Sequence, residues 1–428
     1  GKGARKADNT SYERDCKTHG APLGSDAYTN TVKNLGGDPE NPFVIRPEVA
    51  ELYENRRAEL NEIVGKLRQE EKSWAESNPE KAAQLKDWLS NKLPNIPWDS
   101  LKQKPNSPTR NGSSACLSLL SEYVPNMIVS SADLCNSDKT DGFLKHTTVI
   151  TRTNFAGGFF QAGVSELTMA CVCIGMTLHG GIITAMGTFF VFSDYMKPAI
   201  RMAALMELPV KFVWTHDAFR VGEDGPTHEP VEQEAQIRLM EKLKNHSGLD
   251  SVRVFRPCDV HATTKCWQMA MENFSTPTAL IFSRQNVNDL PENTNYDGVK
   301  FGAYEVVAEE NPDVILVASG SEVSTLAETA TMLKEDGIKA RVVSCPSEGL
   351  FRRQTKEYQE KLLPKNAKIF GLTAGLPVTF EGLVGANGKV HGLESFGFSA
   401  PYKVLDEKLG YTPQNIHQEV VDFLKSND

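Results

Sequence analysis

The chain has 428 residues, of which 40% are hydrophobic and 24% charged, with a formal net charge of −9 and a pI near 5.6. This composition is typical of a globular protein of two or three domains, and the acidic balance argues against a nucleic-acid partner. No apolar run reaches the length of a membrane span, and the eight scattered cysteines favour buried thiols. We therefore expect a cytoplasmic protein without a membrane partner.

The first hundred residues predict loops followed by helices. Residues 1–46 are rich in glycine and proline, as in "HGAPLG". From Pro47 to Leu67 apolar residues recur at helical spacing, and "PEKAAQLKDWLSN" predicts a second helix. Residues 101–114 break that spacing and indicate a linker. The chain opens on Gly1 without an initiator methionine, so we expect a fragment of a longer protein.

Beyond this linker, helical stretches alternate with β-branched runs that are typical of strands buried on both faces. The predicted strands are "NMIVSSADL", "HTTVITRTN", "VKFVWTHDA" and "TALIFSRQN". The alternation predicts an α/β domain with a largely parallel sheet. After a second linker at 288–304 the pattern restarts and predicts a smaller α/β domain.

Three predicted strands end in polar residues, namely Asp133, His216 with Asp217, and Arg284. Ligands of open α/β sheets bind beyond the carboxyl ends of the strands, so these endings predict one shared site. The segment "THDAFRVGEDGPTHEPVEQ" (215–233) adds a glycine-rich turn that presents Asp224 and His228. Metal binding by His216, Asp217, Asp224 and His228 is an alternative, which the absence of a helical His pair disfavours.

Two further features allow a functional and a structural interpretation alike. Glu166 begins the apolar run "ELTMACVCIGMTL", which we interpret as buried core, so desolvation would favour its protonated form. A helix-start acid satisfied by backbone N–H groups is an equally supported interpretation. "GTFFVFSDY" contains Phe189, Phe192 and Tyr195, which are either core residues or the wall of a site for a flat heterocycle.

Taken in order, "HGAPLG", "SADL", "GVSELTM", "GTFFVFSDY", "GEDGPTHEPVE", "SRQN" and "SFGFSAP" resemble transketolase, a thiamine diphosphate-dependent enzyme of the pentose phosphate pathway. The resemblance implies a cytoplasmic homodimer that transfers a two-carbon ketol unit from a ketose phosphate to an aldose phosphate. It implies a pyrimidine-binding α/β domain followed by a smaller α/β C-terminal domain, and a Mg²⁺ or Ca²⁺ ion at the cofactor diphosphate.

The resemblance also implies roles for individual residues. Glu166, His228 and His19 correspond to catalytic residues. The cofactor-binding set is Glu166, Phe192, Phe189, Tyr195, Asp133 and His19, with Phe192 the preferred stacking partner. The substrate-binding set is His19, Arg110, Ser137, His216, Asp224, His228 and Arg284, of which Arg110, Ser137 and Arg284 would hold the sugar phosphate.

The sequence departs from the family pattern in one large respect and several small ones. It contains no Gly-Asp-Gly motif, so we expect it to lack the N-terminal domain that binds the metal and the diphosphate. We therefore predict a tail of that domain with a helical linker at 1–104, the pyrimidine-binding domain at 105–290 and the C-terminal domain at 300–428. On this interpretation the chain is inactive alone and needs that domain in cis or as a separate chain.

The smaller departures surround Glu166 and His228. Ser165, Leu167 and Glu229 replace commoner family residues and predict a shifted pH optimum. Two alternatives stay open, another thiamine enzyme such as 1-deoxyxylulose-5-phosphate synthase or dihydroxyacetone synthase, and a non-catalytic assembly or regulatory module.

Overall fold

The structure is a computed structural model that describes residues 3–426. It divides into two compact units, Gly1–Ala83 and Gln84–Asp428. In the first unit a loop segment is tied to a short helix, since the Arg5 N–H donates to Thr31 Oγ1 at 2.8 Å. Both predicted amphipathic helices are confirmed. The helices of this part are α1 (Ser25–Asn34), α2 (Pro47–Ser77) and α3 (Pro79–Leu89), which crosses the boundary.

The second unit begins with an α/β domain built on a six-stranded sheet in the order β2-β1-β3-β4-β6-β5, with every pairing parallel. Its strands are β1 (Met127–Ser131), β2 (Phe159–Gln161), β3 (Ile183–Phe189), β4 (Lys211–Thr215), β5 (Arg253–Phe255) and β6 (Thr278–Phe282). Its helices are α4 (Thr109–Tyr123), α5 (Cys135–Asp138), α6 (Glu166–His179), α7 (Ser193–Leu205), α8 (Gln233–Lys242) and α9 (Val260–Glu272).

A smaller α/β domain follows, on a five-stranded sheet in the order β11-β10-β8-β9-β7, in which only the edge strand β7 is antiparallel to its neighbour. Its strands are β7 (Tyr304–Val307), β8 (Val314–Ala318), β9 (Ala340–Ser344), β10 (Ile369–Leu372) and β11 (Lys389–His391). Its helices are α10 (Glu322–Glu335), α11 (Glu348–Arg352), α12 (Lys356–Leu362), α13 (Val378–Val384), α14 (Tyr402–Leu409) and α15 (Pro413–Ser426). The predicted fold class is confirmed.

Two predicted segments differ from the structure. "HTTVITRTN" (146–154) is not a strand and forms only isolated bridges, because Asn154 N–H donates to Thr151 Oγ1 at 3.0 Å and closes a local turn. The linker 101–114 ends early, since α4 already begins at Thr109. Small residues hide its helical pattern but allow close packing, because a Cβ on Gly112 would lie 3.1 Å from Val260 Cγ1 on α9.

The apolar helix α6 is only half buried, so its interpretation as core holds for one face. Met169, Ala170 and Cys173 are fully buried, whereas Leu167 is 43% and Leu178 60% exposed. The central stretch 169–176 contains no charged residue, so it gives little periodic signal that would separate the two faces.

A buried ion network joins the two α/β domains of the second unit. Arg256, which has no exposed surface, contacts Asp217 at 2.7 Å and Glu322 at 2.5 Å. Arg220 contacts the same Glu322 and also Asp406, the latter at 2.6 Å. Asp217, Arg220 and Arg256 belong to the first α/β domain, while Glu322 and Asp406 lie on α10 and α14. The network therefore fixes the loop after β4 against the smaller domain.

Candidate active site

The candidate site lies at the carboxyl edge of the six-stranded sheet, where the parallel strands all end. Asp133 follows β1, and His216 follows β4, while an aromatic turn follows β3. Asp133 and His216 have φ angles of +64° and +60°, a left-handed conformation that non-glycine residues rarely adopt. Such backbone conformations concentrate at functional sites, because the surrounding structure must hold them in place.

Arg110 connects two of the predicted residues. Its Nη1 donates to the Ser137 carbonyl oxygen at 2.8 Å and lies 3.2 Å from His216 Nε2. Because a guanidinium only donates, His216 Nε2 accepts, and the ring proton sits on Nδ1, 2.8 Å from Thr215 Oγ1. Burial, followed by the charges of Arg110 and Arg284, lowers the pKa of His216 to about 2. His216 is therefore a neutral imidazole with a fixed tautomer.

An aromatic cluster lies beside this pair. The ring of Phe189 stacks on His216 with centroids 3.6 Å apart, and Phe192 lies parallel to Phe189 at 6.0 Å. His228 meets the Phe192 ring edge-on at 5.4 Å, and Tyr195 lies 6.3 Å from Phe192. The three predicted aromatic residues and the two predicted histidines thus form one continuous wall.

The turn that presents His228 depends on glycine. Gly222 and Gly225 have φ angles of +91° and +73°, and the His228 N–H donates to the Gly225 carbonyl at 2.9 Å. His228 Nδ1 lies 2.8 Å from Thr227 Oγ1, which repeats the arrangement at His216. Asp224 is exposed on this turn.

Arg284 also reaches this turn, because its Nη1 lies 3.8 Å from where a Cβ on Gly222 would stand. Burial, then the charge of Arg284, lowers the pKa of Arg110. The two cations are therefore close enough to repel each other, which favours an anion between them.

The remaining predicted residues are placed by topology or lie elsewhere. Glu166 is the first residue of α6, is 8% exposed, and follows β2, the strand next to the one that precedes Asp133. Asp217 turns away from the site into the ion network. His19 belongs to the first unit, where it is exposed and ends a turn at Cys16–Thr18.

Two residues beside the site are not among the predicted catalytic, cofactor-binding or substrate-binding residues. Asp138 is fully buried and accepts hydrogen bonds from Ser131 Oγ at 2.7 Å and Thr140 Oγ1 at 2.6 Å, which fixes the turn that carries Ser137. Burial raises the pKa of the Asp138 carboxyl. The Asp-x-Thr spacing, typical of a side-chain-closed turn, is the signal that was available.

Glu229 is the second such residue, although the sequence already drew attention to it as a substitution. Its side chain is 2% exposed, and neither carboxylate oxygen has a hydrogen-bond partner among residues 3–426. Burial raises its pKa to about 7. A Cβ on Gly397 would lie 2.0 Å from Glu229 Oε2, so the loop of the smaller domain packs directly on this carboxyl group.

The geometry suits an anion and a flat ring. Two arginines lie beside a neutral histidine, and the aromatic wall can stack on a heterocycle. Within the described part of the chain, no group of three or more His, Cys, Asp or Glu side chains is arranged to hold a metal ion. No helix in residues 3–426 has both the length and the apolar character to cross a membrane.

Comparison with known protein families assigns the three parts of the chain. Residues 2–94 match the model for the thiamine diphosphate binding domain of transketolase, residues 106–289 its pyrimidine binding domain, and residues 302–412 a transketolase-like C-terminal domain. These matches place the chain in the class of thiamine diphosphate-binding proteins.

Individual relatives narrow the class. Transketolase of Staphylococcus aureus (strain MRSA252) is 38% identical over 413 residues, which cover 95% of this chain and 61% of the relative. Transketolase of Halalkalibacterium halodurans is 38% identical over 414 residues, which cover 93% of this chain and 59% of the relative. This chain belongs to the transketolase family, and it spans about three fifths of the length of these relatives.

Solved structures agree with this assignment. Transketolase from Leishmania mexicana superposes with a TM-score of 0.87 at 30% identity, covering 96% of this chain and 59% of that one. Transketolase from Pichia stipitis in complex with sedoheptulose 7-phosphate gives a TM-score of 0.85 at 30% identity, covering 96% and 60%.

These matches correct one prediction. The expectation that the chain lacks the N-terminal diphosphate-binding domain is wrong, because residues 2–94 match the model of that domain. The expectations of an inactive fragment and of a separate N-terminal chain were argued from that absence, so they lose the argument that supported them. The error came from taking the absence of one Gly-Asp-Gly motif as the absence of the whole domain. The loops and helices of residues 2–94 match the domain model without that motif. The predicted domain bounds and the individual site roles stay predictions.

Proposed function

We propose that this chain acts as a transketolase, transferring a two-carbon ketol unit from a ketose phosphate to an aldose phosphate in the pentose phosphate pathway. The observation that carries the proposal is the Arg110–His216 pair beside the aromatic wall, because it combines a phosphate grip with a surface for a flat ring. The Pichia stipitis relative was solved with a sugar phosphate, which supports the same substrate class.

The residues at the sheet edge fit the aminopyrimidine ring of thiamine diphosphate. We assign Phe192 to stack on that ring, since one face of Phe189 is already covered by His216, with Tyr195 completing the wall. Glu166 would hold a proton at the ring nitrogen, with Asp133 close to the cofactor. When bound, the cofactor supplies an electron sink for carbon–carbon bond cleavage. His19 is assigned to the diphosphate, with a Mg²⁺ or Ca²⁺ ion for which we assign no ligand.

The substrate roles follow from charge and tautomer. Arg110 and Arg284 would bind the phosphate oxygens together with Ser137. Since His216 Nε2 already accepts from Arg110, His216 orients that guanidinium as well as facing the sugar. We assign His228 to proton transfer at the reacting carbons, and Asp224 to a sugar hydroxyl.

A homodimer is part of the proposal. Large apolar side chains are exposed on the two adjacent helices α6 and α7, a surface that monomers normally bury. They are Leu167, Val172, Leu178, Met202 and Leu205, with Met206 directly after α7. The cytoplasmic location inferred from the sequence stays a prediction.

Steady-state kinetics on an arginine variant tests the assignment. Arg110→Met removes the proposed phosphate contact, so kcat/KM for a phosphorylated ketose should fall about 100-fold, within the range of a lost charged pair of 2–5 kcal/mol. The control Arg152→Met removes an exposed arginine from the turn at 151–154 and should leave kcat/KM unchanged. An equal loss for phosphorylated and unphosphorylated ketoses would contradict the phosphate role.

A further inference from the structure

His216 has a backbone conformation that its surroundings must hold in place. It directly follows β4 with a φ angle of +60°, which residues with a Cβ rarely adopt. Such a conformation persists only where several neighbouring contacts fix the chain. The next residue, Asp217, is 4% exposed and directs its side chain into the ion network. The contacts of Asp217 therefore help to decide how firmly His216 is held.

Arg256 supplies the hydrogen bonds to Asp217. Its Nε and Nη2 both donate to Asp217 Oδ2, at 3.0 Å and 2.7 Å. The other carboxylate oxygen, Oδ1, has no hydrogen-bond partner among residues 3–426. Arg256 directly follows β5 and has no exposed surface. Within its own domain a second carboxylate, that of Glu234, lies farther away at 3.5 Å.

The smaller domain fixes Arg256 through both its side chain and its backbone. Arg256 Nη1 donates to the Ser319 carbonyl oxygen at 3.0 Å and contacts Glu322 at 2.5 Å. The Arg256 carbonyl oxygen accepts from the Gly320 N–H at 3.0 Å. Gly320 has a φ angle of +62°, and a Cβ there would lie 2.6 Å from Arg256 Cζ, so this close approach requires glycine. The turn between β8 and α10 therefore clamps the arginine that holds Asp217.

We propose that Arg256 is a positioning residue through which the smaller domain holds His216 in the conformation that meets the substrate. The contacts run from Gly320 and Glu322 to Arg256, from Arg256 to Asp217, and along the backbone to His216. The inference rests on the proposed function, because it gives the smaller domain a part in the geometry of that same site. If the contacts are broken, His216 Nε2 loses its fixed place 3.2 Å from Arg110 Nη1.

NMR of the imidazole nitrogens in the ¹⁵N-histidine-labelled full chain tests the proposal, with the His216 signal assigned from His216→Gln. The parent should show one neutral tautomer, protonated at Nδ1. Gly320→Ala lies in the smaller domain and pushes against the Arg256 guanidinium, so it should convert this signal into a mixture of both tautomers. In kinetics it should raise KM for sedoheptulose 7-phosphate about tenfold and change kcat less than about threefold, as expected of a weakened ground-state contact.

A matched control crosses the same domain boundary without touching Arg256. Ser347 in the smaller domain donates to Glu241 on α8 at 2.9 Å, and both side chains are buried. Ser347→Ala should leave the His216 tautomer and KM as in the parent. If it changes them as Gly320→Ala does, any loosening of the boundary is sufficient, and the specific role of Arg256 is refuted.

A second variant breaks the contacts at their other end and serves if Gly320→Ala fails to fold, which thermal melting reveals. Asp217→Asn keeps the volume but removes the charge that Arg256 holds, and it should give the same mixture of tautomers. An unchanged His216 signal in the folded variants would overturn the proposal. Because the tautomer is read without substrate, the expected response in a chain that transfers no ketol unit would contradict the proposed function while supporting the positioning of His216.

Discussion

Glu229 gives the sharpest stability prediction, because its carboxyl group is buried and has no hydrogen-bond partner among residues 3–426. Burial moves its pKa from the ordinary value of 4.5 to about 7. Since each tenfold change in proton affinity is worth about 1.4 kcal/mol, ionisation at this position costs the folded protein up to about 3 kcal/mol. The folded state holds its proton more tightly than the unfolded state, so this loss begins above pH 4.5 and is complete above pH 7.

The substitution Glu229→Gln removes the ionisation while keeping the shape that packs against Gly397. The free energy of unfolding of the variant relative to the parent should therefore rise by about 3 kcal/mol between pH 4.5 and pH 8. Urea denaturation at a series of pH values, followed by circular dichroism, measures this difference.

A matched control is available on the same turn. Glu223 is exposed, so Glu223→Gln removes one carboxyl group from the same turn without touching the buried one, and it should not reproduce the gain of Glu229→Gln. If the gain from Glu229→Gln does not depend on pH, the carboxyl group is ionised or neutral throughout, and the burial argument is refuted.

Three further predictions concern the rest of the fold. Lys211 is 1% exposed, and burial lowers its pKa to about 7. Lys211→Met should therefore stabilise the folded protein most below pH 7 and progressively less toward pH 10. A gain in urea denaturation that is the same at every pH would contradict this. Arg256→Met leaves Asp217 buried without its cationic partner and Glu322 paired with Arg220 alone, and should cost about 3–5 kcal/mol, seen as a lower Tm; a change below 1 kcal/mol would mean that the network is weakly coupled. Leu178→Asp should weaken self-association, measured by sedimentation equilibrium. The control Glu272→Gln, at the exposed end of α9, should not weaken it. If Leu178→Asp leaves the mass distribution unchanged, the dimer contact lies elsewhere.

The fold was largely predictable, because strands buried on both faces leave continuous β-branched runs such as those of β4 and β6. The segment 146–154 is also rich in β-branched residues, but it forms a turn. The hydroxyls of Thr151 and Thr153 make local hydrogen bonds there. The short strands β2 and β5 each have three residues, too few for a periodic signal. The sequence also did not show where α4 begins, because its first turns consist mostly of small residues.

For the site, the sequence indicated which residues follow the strands, and parallel topology brings Arg110, His216 and the aromatic residues together. It did not indicate their pairing, because the tautomer of His216 depends on Arg110, 106 positions away in the chain. The sequence did not show that Asp217 belongs to the ion network either. Its partner Arg256 is 39 positions away, and Arg256 also contacts Glu322, which lies in the smaller domain. Long-range contacts of this kind leave no local pattern.

The central claim is best tested by following label from carbons 1 and 2 of sedoheptulose 7-phosphate into an aldose phosphate, in the presence of thiamine diphosphate and magnesium. The account predicts that the chain transfers the labelled pair and that Glu166→Gln lowers the rate at least 100-fold, because an amide cannot hold and release the proton. Glu272→Gln should transfer label at the parent rate. Label transfer that is unaffected by Glu166→Gln, or its absence from a folded parent chain, would contradict the account.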